Sequence, residues 1–190
     1  MKHVQIERAA AESGPITKSG WEERKAFVGF GADDVAILDE LHLVARTYGD
    51  EVMEELYGRW LAAPELRAFF ADGATLERVK ALQKRYFLDL TAGRYGYDYC
   101  RDRLRIGEVH RRIGLAPRWY LGAYAVYMQI VLPRVLAAFE YNRQKAHRAV
   151  NALVKLVALD QELALAAYFG DAPAAVERGS PGPGEIANHS

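Results

Sequence analysis

His110 is the residue whose type and surroundings point most directly to chemistry. On a helix it shares a face with Ile106, four positions before it, and Ile113, three after. Arg111 and Arg112 point elsewhere. A neutral imidazole therefore sits in an apolar stripe, and its nitrogens need partners. Gly107 and Gly114 flank it and remove side chains from that surface, so a bulky flat group could approach the backbone. Two chemistries fit: a core histidine bonded to a backbone carbonyl, or an imidazole that ligates a bound group. The glycines and the aromatic residues downstream favour the second. Tyr57 is the other candidate. It lies in the middle of an apolar face formed by Met53, Leu56, Trp60 and Leu61. A buried phenol needs a partner, which is either a neighbouring carbonyl or something in a cavity. Cys100 reads as a small buried hydrophobe.

These residues are positioned by helices. Residues 21–28 predict a short helix, broken by Gly29 and Gly31, and Asp33 and Asp34 supply the next start. Val35, Leu38, Leu41, His42 and Ala45 mark its face, with His42 a half-buried structural histidine. Gly49 and Asp50 punctuate the chain, and Asp50 caps a helix that carries Tyr57 to Pro64. Residues 64–70 form a short helical piece, and 72–75 the next cap. Leu76, Val79, Leu82, Tyr86, Phe87 and Leu90 make an amphipathic helix ended by Gly93. A turn at 95–99 leads into the His110 helix. Pro117 opens the next, over about 118–141, with Pro133 expected to kink it. The last helix covers about 145–169. It shows two apolar faces: Val150, Leu153, Val154, Val157 and Ala164 on one, and Leu156, Leu159, Leu163 and Ala167 on the other. Such a helix is expected between two partners, one of them a second copy of the chain. Residues 1–19 read as a flexible extension, 20–170 as the domain, and 171–190 as a disordered Pro/Gly-rich tail.

Composition narrows the function. The chain has 190 residues, enough for one domain with its own core. Its 25 basic residues balance 25 acidic ones, so nothing argues for a nucleic-acid partner. One cysteine excludes an intrachain disulfide and a cysteine-held metal cluster, and suits a reducing cytoplasm. No membrane span is expected, because charges interrupt every apolar run, and the N-terminus lacks a signal-peptide core.

The segment IGEVHRRIGLAPRWYLGAY over residues 106–124 resembles the proximal segment of the globin-coupled sensors, haem globins related to the protoglobins. The likeness extends over about residues 20–170. It implies an all-α globin fold, a three-over-three helical sandwich with an N-terminal extension and no clear short D helix. It implies haem b, held by His110 as the proximal iron ligand, with Tyr57 as the hydrogen-bond donor on the distal side. Tyr57 precedes His110 by 53 positions (110 − 57), which suits that pairing. Phe69 and Phe70 resemble the pair that closes the haem edge. Val79 and Leu82 would face the ligand, with Gln83 and Tyr86 near the rim. No histidine on that helix offers a second axial ligand. Ile106, Ile113, Trp119, Tyr120 and Tyr124 complete the expected pocket, with Tyr120 a candidate partner for the His110 ring. The implied function is sensing of oxygen or another diatomic gas, passed to a homodimer interface on the last two helices or to a signalling partner. No catalytic residue and no output enzyme domain are expected in the chain. A free-standing globin for oxygen binding or redox protection, and a haem-free globin-like module, are the alternatives. A haem enzyme ranks last, because Val79 and Leu82 offer no acid–base pair.

Overall fold

The computed structural model describes residues 16–70, 72–92 and 94–169, and every regular element among them is helical. The helices are α1 (Lys18–Phe27), α2 (Ala32–Trp60), α3 (Pro64–Arg67), α4 (Gly73–Asp89), α5 (Tyr97–Arg112), α6 (Pro117–Ala138) and α7 (Arg143–Phe169). Helix α7 is the centre of the packing: α5, α2 and α6 all lie against it, while α4 packs on α2 and α1 on α5. The starts follow local chemistry. Thr17 caps α1 by accepting from the Gly20 N–H at 3.1 Å, and Asp72 caps α4 by accepting from the Thr75 N–H at 2.7 Å. Asp34 accepts from the Gly31 N–H at 2.8 Å at the start of α2. Pro117 sits in the first turn of α6, where its missing N–H costs nothing.

Several expectations change. The extension predicted over residues 1–19 overlaps the helical body: Ile16 is buried, the Tyr97 hydroxyl donates to its carbonyl at 2.8 Å, and α1 begins at Lys18. Trp21 anchors α1, with no exposure and its indole N–H donating 3.0 Å to the Tyr95 carbonyl. Burying a side chain of that size contributes on the order of 2–3 kcal/mol. The remainder of that extension and the tail predicted over 171–190 lie outside the described residues. Gly49 does not break its helix. α2 runs unbroken for 29 residues, and Gly49 is the site where α4 comes close. A Cβ there would lie 3.4 Å from Lys84 Cε and 3.9 Å from Leu88 Cδ2. Tertiary packing outweighs the roughly 1 kcal/mol cost of a mid-helix glycine. α6 ends at Ala138, short of the expected 141, and continues through Pro133.

The two apolar faces of α7 are both used inside the chain. Leu153, Leu156, Val157, Leu159, Leu163, Ala164 and Ala167 are all buried, which leaves Val154, at 50% exposure, facing out. On α6 the matching outward residue is Leu136, at 52%. Leu159 and Leu163 therefore belong to the core and not to a free face, because α7 is enclosed by three neighbours. α6 also corrects the expectation that charges interrupt every long apolar run. It carries only Arg118 and Arg134, and by length and composition it is long and apolar enough to cross a membrane. Its Tyr120, Tyr124, Tyr127, Ile130 and Val135 are buried in the helical body.

Candidate functional site

The end of α2, α3, α4, the second half of α5 and the first half of α6 enclose a cavity of about 190 Å³. Its lining is apolar and aromatic. Leu66, Phe69 and Phe70 come from the α3 region, Val79 and Phe87 from α4, and Ile106 and Ile113 from the α5 region. Leu115, Trp119 and Ala123 complete it from the corner and α6. Phe69 and Ile113, at 37% and 52% exposure, are the outward-facing members of the set.

Against this apolar background three polar atoms stand without partners. Six buried side-chain N or O atoms lack a hydrogen bond among the described residues: Tyr57 Oη, Trp60 Nε1, Arg103 Nε, His110 Nδ1, Glu162 Oε2 and Tyr168 Oη. Tyr57, Trp60 and His110 are the three on this cavity. An unpaired buried polar group costs about 1–3 kcal/mol. Three such atoms on residues lining one cavity give it the polar groups that a bound ligand could engage. Burial pushes the Tyr57 phenol well above its ordinary value, so at neutral pH it is a neutral donor. Burial pushes the His110 imidazole down from 6.5. The Ile106 carbonyl, one turn back, is close enough to the ring to oppose this as a hydrogen-bond acceptor but lies outside good hydrogen-bond geometry, so His110 is the least orphaned of the three. A neutral ring is the form that ligates a metal. The Tyr57 ring is held by Trp60 at 5.1 Å and Phe70 at 5.8 Å between centroids. The His110 ring meets Tyr120 edge-on at 5.1 Å.

The cavity lining includes Tyr57, His110, Phe69, Phe70, Val79, Gln83, Tyr86, Ile106, Ile113, Trp119, Tyr120 and Tyr124. Leu82 is absent from it and is 62% exposed. The reason is helical phase. At roughly 100° per residue, Val79, Gln83 and Tyr86 fall on one face of α4, and Leu82 lies off its edge. The glycines beside His110 also act differently from the expectation. A Cβ on Gly107 would lie 2.8 Å from Ala167 Cβ and 2.9 Å from Ala164 Cα, so this glycine admits α7 and not a ligand. Gly114 adopts φ +76 and terminates α5, a conformation that glycine takes without strain. Tyr120 packs its ring on His110, while its hydroxyl is placed toward Tyr86 and Tyr124. His42 behaves as expected, its Nδ1 lying 3.0 Å from the Thr91 hydroxyl. Cys100 is buried, and that burial pushes its thiol up to about 11.

Trp60, Leu66, Phe87, Leu115 and Ala123 also line the cavity and were not read as site residues from the sequence. Trp60 and Phe87 were visible as members of apolar faces, and nothing local separates a cavity wall from a core contact. Asp160 and Arg103 were passed over entirely. Their signal was present: Asp160 stands among Leu156, Val157, Leu163 and Ala164, a carboxylate on an apolar face. No cluster of His, Cys, Asp or Glu suited to a bare metal ion exists among the described residues.

Known proteins share this fold. The chain is 29% identical over 176 residues to the heme-based aerotactic transducer HemAT of Halobacterium salinarum, across 88% of the chain and 35% of that relative. It therefore spans about a third of the curated relative's length. The globin domain of a Geobacter sulfurreducens globin-coupled sensor superposes with a TM-score of 0.74 at 25% identity, covering 77% of this chain and 96% of that domain. The ferric globin domain of E. coli DosC superposes with a TM-score of 0.67 at 14% identity, covering 76% and 97%. The fold is that of these sensor globin domains. The family model for protoglobin matches residues 17–173, nearly the whole helical body, and the chain belongs to the protoglobin family.

Proposed function

We propose that the chain binds haem b in the cavity and serves as a gas-sensing globin, oxygen being the favoured gas. The observation that carries this is the set of three unpartnered polar atoms around one apolar, aromatic cavity. His110 would hold the iron through a ring nitrogen. Phe69, Phe70, Trp119 and Ile113 would clasp the flat ring. Bound there, the haem would supply an iron with an open position for a diatomic gas. Tyr57 supplies a donor inside an apolar, aromatic pocket, suited to a gas with partial negative charge on its outer atom. Trp60 offers a second N–H at the same cavity. Kinship with a heme-based transducer and with sensor globin domains supports the same reading. The role is binding and signalling, with no catalytic residue assigned.

The signal has a short route. α5 carries His110 and joins α6 through residues 113–116 alone. A shift of the His110 ring also meets Tyr120 on α6 directly. We assign the outward strip around Leu136 and Val154 to a homodimer contact that would receive it. The test is the absorption spectrum of the purified chain, with and without oxygen. A haem band that responds reversibly to oxygen is expected. A colourless chain that takes up no added haem would overturn the proposal.

A further inference from the structure

Tyr86 and Tyr124 line the cavity, yet their hydroxyls are engaged behind it. The acceptor is Asp160 on α7, a carboxyl with no solvent exposure. Its Oδ2 accepts from Tyr86 at 3.0 Å and from Tyr124 at 2.9 Å. Its Oδ1 accepts from Tyr99 at 2.5 Å. The Tyr86 and Tyr124 hydroxyls lie 2.5 Å from each other. Arg103, also buried, sets its Nε 3.5 Å from Asp160 Oδ2. Its guanidinium carbon lies 3.9 Å from the Tyr86 ring centroid and 4.4 Å from that of Tyr99. One cluster thus joins α4, α5, α6 and α7.

The protons can be counted. Arginine stays charged in a protein, and a buried charge requires a counter-charge. Burial pushes the Asp160 carboxyl up, while Arg103 and the phenol hydrogen bonds pull it down. As the carboxyl within ion-pair reach of the buried Arg103 among the described residues, Asp160 is assigned as the anion. A carboxylate only accepts, and each phenol has one proton to give. Tyr99 donates to Oδ1. Tyr86 and Tyr124 donate to Oδ2, or one donates to the other and that one to Oδ2. Either way all three protons stay inside the cluster.

We infer that Asp160 is a positioning residue for gas selectivity: by holding the Tyr86 and Tyr124 protons, it keeps these two cavity tyrosines from donating to a gas. The Tyr120 hydroxyl is placed toward Tyr86 and Tyr124, so the cavity tyrosine left to donate is Tyr57, whose hydroxyl is unpartnered. This inference rests on the haem-globin reading above. Asp160→Asn tests it sharply. The amide keeps an oxygen for Tyr99 and presents an N–H₂ toward Tyr86 and Tyr124. Facing a donor, those phenols become acceptors, and their protons turn toward the cavity.

The experiment uses the full chain, and haem uptake by the unaltered protein is recorded first. Failure there ends the functional reading and leaves the cluster to be judged on the haem-free chain. In the haem-free chain, proton NMR should show low-field tyrosine hydroxyl resonances that move upfield in Asp160→Asn. Resonances unchanged by the substitution would overturn the inference. In the haem-loaded chain, Tyr86→Phe alone should alter oxygen dissociation less than about twofold, because its proton was never offered. Acceleration by about tenfold, the loss of one full hydrogen bond, would overturn it. Asp160→Asn should slow oxygen dissociation roughly two- to tenfold, lower the stretching frequency of bound carbon monoxide, and lose both effects when Tyr86→Phe is added. A merely structural role would not move the oxygen to carbon monoxide ratio in that direction, nor restore it in the double variant. A folded Asp160→Asn protein with unchanged rates and stretch also refutes the inference. If that variant fails to fold, the tyrosine hydroxyl resonances of the unaltered haem-free chain decide the matter: low-field phenol protons are expected, and their absence overturns the inference.

Discussion

Two sets of buried polar side chains lie at or behind the same cavity, and the fold treats them in opposite ways. Tyr57, Trp60 and His110 each leave an atom without a partner. Tyr86, Tyr99 and Tyr124 give every phenol proton to a buried cluster around Asp160. Residue type does not separate the sets, since tyrosine occurs in both. What separates them is whether a neighbouring helix supplies an acceptor. α7 places Asp160 behind the inner wall, and among the described residues no acceptor stands behind Tyr57. An unpaired polar atom in a core is a cost that folding alone would remove. The unpaired set thus marks where a ligand is expected, and the satisfied set marks the scaffold that holds the wall.

Substitutions can break this contrast in order of effect. His110→Ala should abolish stable haem retention, with partial restoration by added imidazole. Normal haem content and an unchanged ferrous spectrum would remove His110 from the unpaired set's proposed role. Asp160→Ala attacks the satisfied set. It leaves Arg103 as an uncompensated buried charge and three phenols without an acceptor, so a loss of about 3–5 kcal/mol is expected in urea unfolding. A loss below about 1 kcal/mol would mean that water or another group reaches the cluster.

Tyr57→Phe removes one donor and leaves the ring packed between Trp60 and Phe70. A hydrogen bond to a group with charge character contributes on the order of 1.5–3 kcal/mol. Oxygen dissociation should therefore quicken about ten- to a hundredfold, with carbon monoxide affected far less. Stopped-flow rates equal for the two proteins would move Tyr57 out of the donor role. The haem-free chain gives the reverse signature. Removing an unsatisfied hydroxyl should leave its melting temperature equal or higher. Gly107→Val sharpens the scaffold side, because a side chain there meets Ala164 and Ala167 below 3 Å. Overpacking of this kind costs about 1–3 kcal/mol. The smallest effect belongs to Leu136→Glu or Val154→Glu. Both residues are about half exposed, so fold and haem content should be unchanged while light scattering reads a weaker dimer. A monomer at micromolar concentration in the unaltered chain would dispose of the dimer assignment.

The segment around His110 was legible because its signals are local. Apolar spacing, the Leu115–Pro117 corner and the downstream aromatics all lie within 19 residues, 106 to 124. The resemblance placed Tyr57, Gln83 and Tyr86 in the pocket, and all three line the cavity. It misjudged Leu82, since a helix edge can be assigned inside or outside only when its neighbour is known. Gly49 and Gly107 were misread for a related reason. A glycine in a helix looks like a break or a clearing, and only the partner helix reveals that it is a contact point.

By itself, then, the sequence determined the helical periodicities, the helix starts at Asp72 and Pro117, and the histidine and tyrosine proposed to frame the pocket. These depend on side chains a few residues apart, within reach of a single turn. Tertiary structure alone decided that Asp160 meets tyrosines 36, 61 and 74 positions away. It also decided that both faces of α7 are spent inside the chain, and that the hydroxyls of Tyr57 and Tyr86 meet opposite fates. A polar group's worth depends on what faces it in the low-dielectric interior, and that partner is chosen by helix packing across the whole chain.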